Sequence, residues 1–99
     1  LGLQHIDWTI PKFEIGYWID ERWSGKGYMT EAVHSMTLFA FEDLGANRLE
    51  IRCDRDNIRS RAVAEKNHFE LEGILKQDSR NANTHQLRDT CVYAKISLM

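Results

Sequence analysis

The sequence predicts an α/β fold, a mixed β-sheet with helical crossovers in the order β-β-α-β-α-β-β. Three observations carry that prediction. Two opening apolar segments alternate with period two and are separated only by Pro11-Lys12. Two later segments, one after Gly27 and one after Asn57, have the helical spacing of threes and fours or a helix-capping start. Short runs rich in β-branched and aromatic residues return between and after them.

The strands and helices follow in order. Residues 3–10 present Ile6, Trp8 and Ile10, and residues 13–20 present Phe13, Ile15, Tyr17 and Ile19, so the short connection predicts an antiparallel hairpin. Ser24-Gly25-Lys26-Gly27 breaks the pattern. Met29, Val33, Met36, Ala40 and Leu44 then mark one helix face, with Gly45 at the stop. Leu49, Ile51 and Cys53 alternate along a strand over 47–53, and Asp56-Asn57 caps a second helix over 58–66. Phe69, Leu71 and Ile74-Leu75 make a strand bent near Gly73. A polar loop covers 78–86, and 90–96 is the last strand. Trp8, Trp18 and Tyr93 read as core residues, and Cys53 and Cys91 as buried free thiols.

Composition narrows the function. The 99 residues hold 13 Lys+Arg against 15 Asp+Glu, a net charge of −2 that is too balanced for a protein built to grip nucleic-acid phosphates. At 42% hydrophobic with a single Pro, the chain is neither disordered nor collagen-like. No apolar run reaches the roughly 18 residues of a membrane-spanning helix. Two cysteines make no disulfide framework, which points to a reducing compartment, the cytoplasm. The arginines from Arg48 to Arg61 are interrupted by Glu50, Asp54 and Asp56 and read as a solvated face, with a contact to a phosphate as the alternative. The Cys and His spacings match no zinc pattern, so no metal is expected.

The segment richest in chemistry is Arg22-Trp23-Ser24-Gly25-Lys26-Gly27-Tyr28, between a strand and a helix start. Such a junction bares backbone N–H groups at the positive end of a helix dipole, which suits a pyrophosphate. Gly25 and Gly27 permit close backbone approach and positive φ angles, and Arg22 and Lys26 add cations. An ordinary glycine turn entering a helix is the other reading of that spacing.

Arg22-x-x-Gly25-x-Gly27, the preceding Glu14-Ile15-Gly16-Tyr17-Trp18-Ile19, then Asn57-x-x-Ser60, Ala64 to Phe69 and Leu71-Glu72-Gly73 together resemble the GCN5-related N-acetyltransferase (GNAT) superfamily. The resemblance runs from about Leu3 to Ile96. The Glu-Ile-Gly-Tyr-Trp strand, Leu71 to Gln77 and Val92 to Ile96 are most similar to the ribosomal-protein-serine N-acetyltransferases. It implies the GNAT acyl-CoA N-acyltransferase fold. Residues 1–99 would form one partial domain, the C-terminal acetyl-CoA-binding portion, with the N-terminal strand and helices missing. The opening Leu1-Gly2-Leu3, already strand-like, agrees with that expectation.

The resemblance also implies roles. Backbone N–H groups from Arg22, Trp23, Ser24, Gly25, Lys26, Gly27 and Tyr28 would hold the pyrophosphate of acetyl-CoA. The edge of Trp18, Ile19 and Asp20 would pair with the pantetheine arm, Asn57 would hydrogen-bond it, and Ser60 would protonate the departing thiolate. The implied reaction is direct attack of an amine on the thioester through a tetrahedral intermediate. The acceptor would be the N-terminal amine of a ribosomal protein, whose ordinary pKa of about 7.7–8.0 asks little of a base. The base is Asp78, one place from the family's acidic position, or else Glu14. Acetylation of a small amine (a polyamine or antibiotic) and a non-catalytic CoA-binding module are the rival readings, and a homodimer is the assembly to test. No direct nucleic-acid or membrane partner is implied. His68 stands where the family has Gly, which implies a helix cap made by a residue less suited to it unless Asn67 takes the left-handed position.

Overall fold

The computed structural model describes residues 1–17, 27–81 and 83–98. Within them lie β1 (Gly2–Asp7), β2 (Lys12–Gly16), α1 (Tyr28–Glu42), β3 (Arg48–Asp54), α2 (Ile58–Lys66), β4 (Glu70–Arg80) and β5 (Leu87–Lys95), in the order the sequence predicts. The strands form one sheet ordered β1-β2-β3-β5-β4. β2 and β3 run parallel because α1 crosses between them, and the other neighbours pair antiparallel.

Strand alternation divides the sheet into two unlike faces. Phe13, Ile15, Leu49, Ile51, Cys91 and Tyr93 point to one side and are closed off by Val33 and Ala40 of α1 and Val63 and Ala64 of α2. Each large apolar side chain so buried contributes about 1.5–3 kcal/mol. Cys91 is buried and Cys53 half-buried, both free thiols as expected. The opposite face carries Glu14, Arg48, Glu50 and Arg52.

The helix ends are set by local chemistry. α1 starts from Gly27 at φ 76°, and Gly45 at φ 67° turns the chain after it. Asn57 caps α2, its Oδ1 accepting from the Ser60 amide at 3.1 Å. α2 ends in a Schellman motif, His68 N donating to Glu65 O and Phe69 N to Ala64 O, both at 3.0 Å. His68 itself takes the left-handed position at φ 63°, while Asn67 stays at φ −92°. The Asn67 side chain is engaged elsewhere. Its Nδ2 donates to Val63 O at 3.0 Å and to Thr30 O at 3.2 Å, tying the end of α2 to the start of α1.

Three expectations are corrected. β1 ends at Asp7, not residue 10, because the Asp7 carboxylate accepts from the Thr9 amide at 2.9 Å and turns the chain there. Trp8 is consequently 63% exposed and not core, touching Phe13 only edge-on with ring centroids 5.1 Å apart. The polar residues from Asp78 to Arg80 are strand and not loop, with Ser79 opposite Arg88 and Arg80 opposite Leu87. A ladder is made by backbone groups, so an exposed edge strand can be polar throughout. The bend near Gly73 is present as a register shift between Leu71 and Gly73.

Candidate functional site

The parallel ladder between β2 and β3 is short. Lys12 faces Arg48, Phe13 faces Leu49 and Glu14 faces Glu50, and among the described residues the pairing stops there. β2 continues beside β1 as far as Gly16 opposite Gly2, and β3 beside β5 as far as Asp54 opposite Thr90. Two neighbouring strands, each held on its outer side, therefore separate beyond Glu14 and Glu50. The opening leaves two facing backbone edges that no longer pair with each other, an arrangement able to receive an extended polar chain.

On the helix side of this opening, the Tyr17 hydroxyl donates to the Ser60 carbonyl at 2.8 Å, joining the end of β2 to the first turn of α2. Ser60 is buried there, and Asn57 lies exposed beside it with its Oδ1 committed to the cap. Burial pushes the Tyr17 hydroxyl well above its usual range, with Cys53 and Tyr93 adding to the effect. Burial likewise pushes the Cys53 thiol up to about 11. Both groups stay neutral, so this wall offers uncharged hydrogen-bonding groups. Tyr93, opposite Ile51, accepts from Arg61 Nε at 3.0 Å and donates to Glu65 at 2.8 Å, pinning α2 to the sheet.

The other side is ionic. Glu14 and Glu50 are each about nine-tenths buried as side chains. Gln4 donates to Glu14 Oε2, His5 Nδ1 lies 3.6 Å from the same oxygen, and Arg52 Nε lies 3.6 Å from Oε1. Burial pushes the Glu50 carboxyl up, but Arg48 at 2.7 Å and Arg52 at 3.3 Å outweigh it and hold the group below the usual carboxylate range. Arg48 is raised by its bonds to Glu72 and Glu50. His5, Lys12, Glu14, Glu50 and Arg52 line a cavity of about 170 Å³ at this vertex. Arg48, Arg52 and Arg55 are all committed to carboxylates, which fits the reading of a paired, solvated face.

At α1, Gly27 adopts φ 76° without a side-chain cap, and a Cβ built on it would meet nothing within 4 Å among the described residues. The first-turn amides of an α-helix have no acceptor inside the helix. Glycine here leaves the approach to them open, which suits an anion.

The sequence-predicted residues fall as follows. Glu14 sits at the vertex of the opening, Asn57 and Ser60 at the head of α2, and Gly27 and Tyr28 at the head of α1. Asp78 lies on edge strand β4, with β5 and β3 between it and β2. Trp18, Ile19, Asp20, Arg22, Trp23, Ser24, Gly25 and Lys26 lie outside the described residues. Sequence reasoning missed Tyr17, Gln4 and Arg52 as site components. Alternation assigns each a face, but nothing in the sequence pairs Tyr17 with Ser60 or Gln4 with Glu14. Among the described residues, no group of three or more His, Cys, Asp or Glu side chains is placed to hold a metal.

Comparison with known proteins gives consistent results. The family described as "Acetyltransferase (GNAT) domain" matches residues 1–70. A ribosomal-protein-serine acetyltransferase of Escherichia coli (strain K12) is 36% identical over 83 residues, 84% of this chain and 45% of that protein. The structure of RimL, a ribosomal L7/L12 alpha-N-protein acetyltransferase in complex with coenzyme A, superposes with a TM-score of 0.87 at 33% identity, covering 95% of this chain and 52% of that one. The microcin C7 self-immunity acetyltransferase MccE, in complex with acetyl-CoA and AMP, has a TM-score of 0.78 at 33% identity, covering 93% of this chain and 50% of that one. The chain thus spans about half the length of the relatives it matches.

Proposed function

Because the chain belongs to the GNAT acetyltransferase family, we propose that the protein transfers an acetyl group from acetyl-CoA to a primary amine, the N-terminal amine of a ribosomal protein. The observation that carries this reading is the separation of β2 from β3 beyond Glu14 and Glu50, beside two helix starts that carry Gly27 and Asn57-Ser60. The residues present fit acetyl-CoA. The amides following Gly27 would hold its pyrophosphate, with the segment from Arg22 to Lys26 completing the loop. The two parted strand edges would take the pantetheine arm, to which the family resemblance also assigns Trp18, Ile19 and Asp20, and the Asn57 amide nitrogen, not used in its cap, would donate to that arm. When bound, acetyl-CoA supplies an activated acyl group on a thiol leaving group.

The chain's own groups then handle protons. Glu14, buried at the vertex, takes a proton from the acceptor ammonium and frees its lone pair for attack. Glu14 is better placed for this than Asp78, which two intervening strands hold away. The Ser60 hydroxyl would donate a proton to the departing thiolate and take one back from the amine nitrogen, which loses its second proton as the amide forms. Tyr17, neutral and bonded to the Ser60 carbonyl, fixes the first turn of α2 that carries this hydroxyl. The ribosomal acceptor is supported by the named activities of the E. coli and RimL relatives. A panel of amines, with thiol release as the readout, tests the reading. The expected result is turnover with an N-terminal peptide amine. Turnover only with polyamines or aminoglycosides would replace the acceptor, and binding of acetyl-CoA without turnover would make the protein a CoA-binding module.

A further inference from the structure

We propose that His5 carries away the proton that Glu14 takes from the acceptor amine, a role that rests on the functional reading above. Glu14 presents a difficulty for a base. Its side chain is only 9% exposed, so a proton it accepts meets little bulk water directly once an acceptor occupies the cavity. The groups around it are few. Gln4 donates an amide hydrogen to Oε2, and Arg52 stands at Oε1, and neither can accept a proton. Lys12 shares the cavity but its ammonium has no lone pair. Glu50, on β3, is held as a carboxylate between Arg48 and Arg52 and is as buried as Glu14. Among the described residues lining this cavity, His5 alone combines a lone pair with contact to solvent, its side chain being 76% exposed.

The backbone adds a second observation. β1 loses regular register between Gln4 and Asp7, and within that bulge His5 takes φ 49°, a conformation that a Cβ disfavours. Bulges redirect side chains, and this one brings His5 Nδ1 to 3.6 Å from Glu14 Oε2. That distance exceeds a hydrogen bond, and the relay requires a closing of a few tenths of an ångström, as catalytic hydrogen bonds tighten in substrate complexes.

The step balances without any electron transfer. The ammonium gives a proton to the Glu14 carboxylate, leaving a neutral amine. The Glu14 carboxylic acid passes that proton to Nδ1 of a neutral imidazole, and Nε2 releases its own proton to water. The exposed ring regains its starting tautomer by exchange with solvent. His5 acts through Glu14 and is a positioning and relay residue.

The test uses acetyl-CoA-dependent thiol release by the native full chain. His5→Ala should lower kcat about tenfold, less than the roughly 10²–10⁴-fold of the base itself because Glu14 remains, with KM for acetyl-CoA unchanged. Added imidazole should restore much of that loss. Glu14→Gln should lose activity that imidazole does not restore. His5→Asn, which tolerates a left-handed backbone, keeps the fold and should also be slow. Wild-type kcat in His5→Asn, or a His5→Ala defect unmoved by imidazole, overturns the relay while leaving the acetyltransferase reading intact. A wild-type protein that binds acetyl-CoA but acetylates no amine overturns both.

Discussion

Ser60 and Glu50 illustrate two different uses of a buried polar group. Ser60 is held by its own backbone, the amide on Asn57 and the carbonyl on Tyr17, so its hydroxyl is not needed to anchor the helix. Ser60→Ala should therefore lower kcat roughly 100-fold, the low end of proton-transfer effects, while leaving acetyl-CoA affinity within about twofold. Steady-state kinetics alongside calorimetric binding checks this, and an equal loss in both would make Ser60 a binding residue. Glu50 is structural. Its folded carboxyl lies below the ordinary 4.5 because Arg48 and Arg52 overcome the upward push of burial. A depressed folded value means stability that is present above pH 4.5 and lost as pH falls through the lower folded value. Urea midpoints should fall as the pH drops through that window, and Glu50→Gln should show a shallower fall there. An identical slope in both proteins would deny Glu50 that contribution.

At the scale of elements, the two helices start and stop by different devices. α2 was legible from Asn57 to Lys66 because its cap is a local sequence pattern. Its end at Lys66 was legible too, with His68 as the cap or Asn67 as the alternative; His68 turns left-handed, and the Asn67 side chain instead reaches Thr30 on α1. His68→Gly should relieve about 1 kcal/mol of backbone strain, offset in part by glycine's greater freedom when unfolded, and raise Tm by a few degrees. A thermal melt that falls instead would show that the imidazole makes compensating contacts. Gly27 carries the opposite expectation. Among the described residues nothing stands near its absent Cβ, so Gly27→Val meets no atom of theirs there, yet it strains φ and blocks approach to the helix amides. The variant should keep its circular dichroism spectrum and lose acetyl-CoA binding in calorimetry. Unchanged affinity would remove the α1 terminus from the site.

For the whole molecule, one sheet with unlike faces sets the division of labour. The helix-covered face supplies the core, and the other face, with its Glu14-Glu50-Arg52 vertex, supplies the ionic chemistry. A ligand that lodges where β2 and β3 part should tie the two halves of the sheet together. Acetyl-CoA at about 100 times its Kd should add about 2.7 kcal/mol to stability by mass action, visible as a rise in Tm. No rise at saturating acetyl-CoA would count against binding in the opening. Element order, helix starts and apolar faces can be read from the chain alone, because capping and periodicity are local and each residue carries its own part of the signal. Tertiary structure alone decided where the parallel strands part, that Tyr17 meets Ser60, and that a bulge sets His5 over Glu14. Those facts depend on which strands become neighbours, and residues ten or forty positions apart hold no record of that until the sheet has formed.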